Sequence, residues 1–222
     1  HLGSRLYRAI ECESGRKMGR ALPRRLLSVI GIEVKEETDA VTTTIKTHID
    51  PSVCHTIQPL NRYARFVLWS MSSKGCPLVL GQLVCAVLSS FSTPNKLDFV
   101  EFFSGKRSVT NALLNEGFSA ATYDVVDDPC EDICSDFGMI YALVLLLSLK
   151  PGSGVWFGIV CSSWTLINMG TSGRKKWRPL GNAHYPSVRR GNLMASRLAL
   201  LLHLCEALCL FWVVEQPRGS LL

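Results

Sequence analysis

Apolar and polar positions in the C-terminal part of the chain alternate between two rhythms. Leu97 to Phe103 is a near-continuous apolar run of strand length, and Ser104-Gly105 after it reads as a turn. Lys106 to Glu116 places Val109, Ala112 and Leu113 at helical spacing and stops at Gly117. Phe118 to Tyr123 is a second strand that ends at Asp124. Gly138 to Leu149 is a helix closed by Pro151-Gly152, and Val155 to Val160 is a third strand. After a long loop, a helix spans about 190–209, with Met194, Leu198, Leu201, Leu202, Cys205 and Cys209 as its apolar stripe. His203 and Glu206 fall on the polar face of that helix, and Leu210 to Val214 is the last strand, ending at Glu215.

Strands without internal alternation, separated by helices, predict an α/β chain with a mostly parallel sheet covered on both faces. Functional groups in such sheets gather at the C-terminal ends of the strands, beside the topological switch point. Those ends carry Phe103-Ser104-Gly105, Asp124, Cys161 and Glu215. Before Leu97 the signals are weaker. Pro77 to Leu88 reads as a helix and Phe91 to Asn95 as a linker, so the expected division is a basic N-terminal region over 1–95 and a Rossmann-like domain over 96–222.

Composition narrows the class. Of 222 residues, 47% are hydrophobic and 19% charged, which supplies a core and excludes wholesale disorder. Nine cysteines are scattered without a Cys-x-x-Cys pair, so neither structural zinc nor a disulfide scaffold is expected; reduced thiols imply an intracellular compartment, the nucleus among the candidates. No secretory signal is visible, and His203 and Glu206 interrupt the most membrane-like run, Leu198 to Val214. An initial His1 and a strand-like run so close to Leu222 lead us to expect a piece of a longer chain.

Charge is unevenly distributed. The net formal charge is +6; residues 1–25 and 171–191 are basic, whereas residues 121–136 hold six acids and no base. Such patches fit a polyanionic partner beside a site that uses carboxylates. The stretch EFFSGKRS contains Gly-Lys-x-Ser but is no phosphate loop, because Val100 stands where the first glycine is needed and Arg107 where a Ser or Thr is needed. A strand–Gly105–helix turn, followed about twenty residues later by Asp124 at a strand end, still fits a nucleoside cofactor.

These residues carry a family resemblance. The order Glu101-Phe-Phe103-Ser-Gly105, Tyr123-Asp124, Asp132-Ile133, Val160-Cys161-Ser162 and Val214-Glu215-Gln-Pro217 resembles the S-adenosylmethionine-dependent methyltransferase fold. Within it, the pattern is most similar to the cytosine-C5 DNA methyltransferase class. The blocks CSSW, GTSGR, GNLMASR and EQPRGSLL are also similar to a set of proteins abundant in dinoflagellate algae.

The resemblance covers about residues 96–222 and implies a Rossmann-like methyltransferase fold with S-adenosyl-L-methionine as cofactor. It implies cofactor contacts from Phe103, Ser104, Gly105, Asp124, Val125, Asp132 and Ile133, with Cys161 as nucleophile and Glu215 as the carboxyl group that activates the base. Nucleic acid is the implied partner, held by Arg174, Lys175, Lys176, Trp177, Arg178, Arg189 and Arg190. No metal and no membrane enter this reading.

The family pattern is altered at four places. Val160 replaces a proline, Ser162 a glutamine, Arg107 a glycine, and Gln216-Pro217 an Asn-Val pair. The later strands, an Arg-x-Arg motif and a target-recognition region have no counterpart, which implies a sheet incomplete at its C-terminal end. Its edge would be exposed unless residues 1–95 or another chain covers it. Three function classes follow: a nucleic-acid cytosine methyltransferase, a non-catalytic protein of that fold binding cofactor or nucleic acid, and last an amino-methyltransferase. The last expects Asp/Asn-Pro-Pro-aromatic where VCSSW stands.

Overall fold

A computed structural model describes residues 5–10, 62–91, 96–217 and 220–222, the first of these as backbone only. Apart from 5–10, the basic stretch over 1–25 lies outside the described residues, as do the turn-prone pieces of 50–61 and most of the linker. Five strands form one sheet: β1 (Arg5–Ile10), β2 (Leu97–Phe102), β3 (Ala120–Tyr123), β4 (Leu149–Phe157) and β5 (Phe211–Pro217). Their order is β1-β5-β4-β2-β3. β2 pairs in parallel with β3 and β4, and β4 with β5, so four strands run one way. The chain is therefore α/β with a mostly parallel sheet, compatible with a Rossmann-like fold.

Among the described residues the helices of eight residues or more are α1 (Arg62–Ser73), α2 (Leu78–Ser90), α3 (Ser108–Asn115), α4 (Asp136–Leu147) and α5 (Pro186–Ala207), with a single helical turn over Met169–Ser172. α3 steps outward from β2 to β3, whereas α4 and α5 step back across the sheet. Right-handed crossovers in opposite directions place their helices on opposite faces. Alternate strand residues accordingly separate. Phe99, Trp156, Phe211 and Val213 pack with Leu113 of α3, while Val100, Phe102, Val155, Phe157 and Trp212 join the larger core of α1, α2, α4 and α5.

Local sequence accounts for the boundaries. Ser135 caps α4 by accepting the Gly138 N–H at 2.9 Å, and Pro186 opens α5, where a missing N–H is harmless. Val67, Met71, Leu80, Val84 and Val87 of α1 and α2 lie in the main core, so core and sheet both extend across the expected 95/96 boundary.

Two expectations are corrected. The third strand begins at Leu149, not Val155, and ends at Phe157, not Val160. The Pro151-Gly152 pair lies inside it, near a register irregularity between Leu97 and Phe99 of β2. β5 runs on through Glu215 to Pro217 because β1 pairs with it antiparallel, from Arg5 opposite Pro217 to Ile10 opposite Trp212. The N-terminal region thus supplies the strand that covers the edge beside β5.

Candidate functional site

The chain leaves β2 toward β3 on one side and returns to β4 on the other. The switch point therefore lies between the C-terminal ends of the neighbouring strands β2 and β4, with the end of β3 beside it. The turn after β2 has three residues in the left-handed region: Phe103 (φ 58°), Gly105 (φ 50°) and Arg107 (φ 54°). Two of them are not glycine, a conformation that costs about 1–2 kcal/mol per residue. The Phe103 N–H donates to the Tyr123 carbonyl at 2.7 Å, which binds the turn to the end of β3.

Asp124 closes the same corner. Its carboxylate accepts the Gly105 N–H at 2.8 Å and the Val126 N–H at 2.9 Å, while its own N–H donates to Glu131 at 2.7 Å. Arg107 pairs with Asp127 at 2.8 Å. A Cβ on Gly105 would meet nothing within 4 Å, so the turn opens onto free space. Ser104 is buried and its hydroxyl has no hydrogen-bond partner. Desolvation raises the Glu131 carboxyl above its ordinary pKa, with Asp128, Asp127 and Asp124 adding to the shift and the Asp124 N–H opposing it.

The remaining expected cofactor residues divide. Val125 is exposed beside this corner. Asp132 accepts the Cys134 N–H at 2.9 Å and pairs with Arg190 at 2.8 Å. Ile133 is a core residue, and its carbonyl accepts Arg197 at 2.8 Å, so it presents neither side chain nor carbonyl to a ligand.

Cys161 does not stand at a strand tip. It lies four residues beyond β4 at the start of a turn, where its carbonyl accepts the N–H groups of Trp164 and Thr165 at 2.8 and 3.1 Å. Glu215 sits within β5 opposite Tyr7, not at its end. Register still relates two of the expected positions, Asp124 and Glu215. Phe102 pairs with Tyr123 and Phe157, and Phe157 with Val214. One residue further, Asp124, Phe103, Gly158 and Glu215 fall in one row, so Asp124 and Glu215 stand three strand spacings, about 14 Å, apart. Gln216 draws the end of β5 to the Cys161 segment, donating from Nε2 to the Ile159 carbonyl at 3.0 Å.

The basic loop has an internal anchor that the sequence reading assigned to nucleic acid. Arg174 is fully buried. Its guanidinium donates to the Pro179 and Val188 carbonyls, the Asn192 amide oxygen and the Ser163 hydroxyl, and lies 3.4 Å from the Trp164 ring centre. Burial lowers its pKa, and none of its surface is left for a phosphate. The surrounding glycines make this packing possible: a Cβ on Gly191 would lie 2.6 Å from Ser163 Oγ, and one on Gly181 would lie 2.6 Å from the Ser172 carbonyl. Arg190 is committed to Asp132, while Arg189 reaches the Ala183 and His184 carbonyls at 3.3 and 3.4 Å. Lys175, Lys176, Trp177 and Arg178 are exposed.

A cleft of about 240 Å³ is lined by Ser162, Ser163, Asn168, Thr171, Ser172, Tyr185 and Ser187; neither Cys161 nor Glu215 is part of its lining. The sequence reading passed over this hydroxyl lining, although the serine and threonine density of residues 162–172 was a signal for it. It also missed Glu131, which holds the backbone of Asp124. Among the described residues no group of His, Cys, Asp or Glu is arranged to hold a metal ion, and no helix is long and apolar enough to cross a membrane. No family model, curated protein or solved structure matches the chain.

Proposed function

We propose that the chain is an S-adenosylmethionine-dependent methyltransferase-like protein acting on cytosine in nucleic acid. The observation that carries the reading is the contact of the Gly105 turn with Asp124 at the switch point of a parallel sheet. The residues fit a nucleoside. Each Asp124 oxygen accepts one backbone N–H and keeps a lone pair for a ribose hydroxyl. The buried Ser104 hydroxyl lacks a partner, and no side chain fills the space over Gly105. The cofactor would supply an electrophilic methyl group.

On this reading Cys161 and Glu215 prepare the acceptor. A Cys161 thiolate bonds to carbon 6 of the ring, and the Glu215 carboxyl group, hydrogen-bonded at ring nitrogen 3, stabilises the electron pair displaced toward the ring. Carbon 5 then becomes nucleophilic enough to take the methyl group that the cofactor would supply, whose carrier would leave as S-adenosylhomocysteine. Loss of the carbon 5 proton to water and expulsion of the Cys161 thiolate would then restore the ring. The target base leaves its stack to reach them.

A second reading, a protein of this class that binds without turnover, is favoured by one observation. Cys161 occupies a turn past the end of β4 rather than a strand tip, flanked by Val160 and Ser162. Calorimetric titration with S-adenosylmethionine tests the cofactor site, and absence of binding would remove both cofactor readings while leaving nucleic-acid binding without turnover. Transfer of labelled methyl groups to oligonucleotides then separates turnover from binding alone.

A further inference from the structure

The segment Lys175 to Arg178 is a tight turn closed by two reciprocal backbone bonds. The Lys175 N–H donates to the Arg178 carbonyl at 3.1 Å, and the Arg178 N–H to the Lys175 carbonyl at 2.8 Å. Lys176 and Trp177 therefore occupy its tip. The Trp177 side chain is 80% exposed, and the Lys175 ammonium lies 5.5 Å from its ring centre. The turn does not rest on surface contacts. Arg174, immediately before it, donates to the Pro179 carbonyl immediately after it at 2.6 Å, so one buried guanidinium joins both feet.

We propose that this turn is a stacking element for single-stranded nucleic acid, with Trp177 against a base and Lys175, Lys176 and Arg178 on the flanking phosphates. A lone exposed aromatic is ordinary on a protein surface. Here the ring is carried on a braced two-residue tip among three exposed cations, in a stretch, 171–191, that has no acidic residue. A fixed aromatic surrounded by positive charge matches a partner that offers a planar face and regular negative charge together. Bracing also lowers the ordering cost of binding. Arg174 Nη2 holds Ser163 as well, two residues from Cys161, so the turn and the Cys161 loop share one anchor.

The proposal rests on the nucleic-acid part of the reading above and is independent of its cofactor part. It is tested by fluorescence anisotropy with labelled single-stranded and duplex oligonucleotides of mixed sequence, without S-adenosylmethionine, over a range of salt. Trp177→Ala should weaken single-strand binding by about tenfold or more, and Trp177→Phe should restore most of it. Replacing Lys175, Lys176 and Arg178 together by Ala should lower the slope of log affinity against log salt by about 2. Trp69→Ala, at an exposed tryptophan of α1, should leave oligonucleotide affinity unchanged, and because no cofactor is present the result is separate from failure of the cofactor site. Unchanged affinity in Trp177→Ala, tighter binding to duplex than to single strand, or capture only by anionic phospholipid vesicles would each overturn it.

Discussion

Gly105 and Asp124, nineteen positions apart, meet at 2.8 Å where two parallel strands end. The contact makes one backbone turn dependent on one carboxylate. Asp124→Ala removes the acceptor of two backbone N–H groups at once. It should lower unfolding free energy by about 1–3 kcal/mol, read from urea melts, and abolish S-adenosylmethionine binding by calorimetry. A variant that keeps full cofactor affinity would remove this corner from the site.

Cys161 tests turnover separately from binding. Cys161→Ser should reduce methyl transfer to cytosine to background while leaving cofactor affinity within about twofold, because in the proposed mechanism the residue bonds to the target base rather than to the cofactor. Equal transfer by the variant and the parent protein would refute nucleophilic catalysis at this position.

Arg174 carries a structural expectation. Arg174→Met should cost about 3 kcal/mol or more, since two carbonyls, an amide oxygen and a hydroxyl lose a buried donor together. Arg174→Lys should recover little of this, because an ammonium cannot reproduce a planar fork stacked on Trp164. Thermal melts compare the two variants.

Glycine positions give a contrast on two helices. A Cβ at Gly138 would sit 2.0 Å from the Asp132 carbonyl oxygen, so Gly138→Ala should destabilise the chain strongly and loosen the Tyr123 hydroxyl bond to the Gly138 carbonyl. Gly81, within α2, has nothing within 4 Å of its added Cβ. Gly81→Ala should therefore stabilise by up to about 1 kcal/mol.

Alkaline pH should weaken the fold. Burial raises the Tyr63 phenol from 10.0 to about 12, with its hydroxyl donating to the Leu147 carbonyl at 3.0 Å. Burial, then the neighbouring Asp132 and Glu131, push Tyr123 up further. The folded state thus holds these protons more tightly than the unfolded state. Their contribution is fully present below pH 10 and is lost as pH rises through 12. Urea unfolding from pH 8 to 12, with tyrosinate absorbance followed alongside, should show this fall, and Tyr63→Phe should reduce it.

Most elements after Leu97 were legible because their apolar spacing and their stop signals agree. The exceptions have physical causes. Ile159 is buried without belonging to the sheet, so the apolar run from Val155 to Val160 gave no sign that pairing stops at Phe157. Pro151-Gly152 read as a stop, yet a strand accommodates it beside a register irregularity. Arg174 looked like its basic neighbours, and only the glycines at 173, 181 and 191 hinted that a bulky side chain is enclosed there. Partnership of β1 with β5 was beyond reach, since nothing in RLYRAI specifies a strand some two hundred residues away.

That pairing sets an order of events. β1 is synthesised some two hundred residues before its partner β5. At roughly 5–20 residues per second, β1 waits on the order of 10–40 s before Trp212 to Pro217 exist to receive it. Meanwhile the three earlier parallel strands, β2, β3 and β4, lack the member that completes them on that side. The sheet therefore closes late, when β5 joins β1 to the other strands, and a nascent chain stalled before β5 would leave β1 and the outer edge of β4 unpaired.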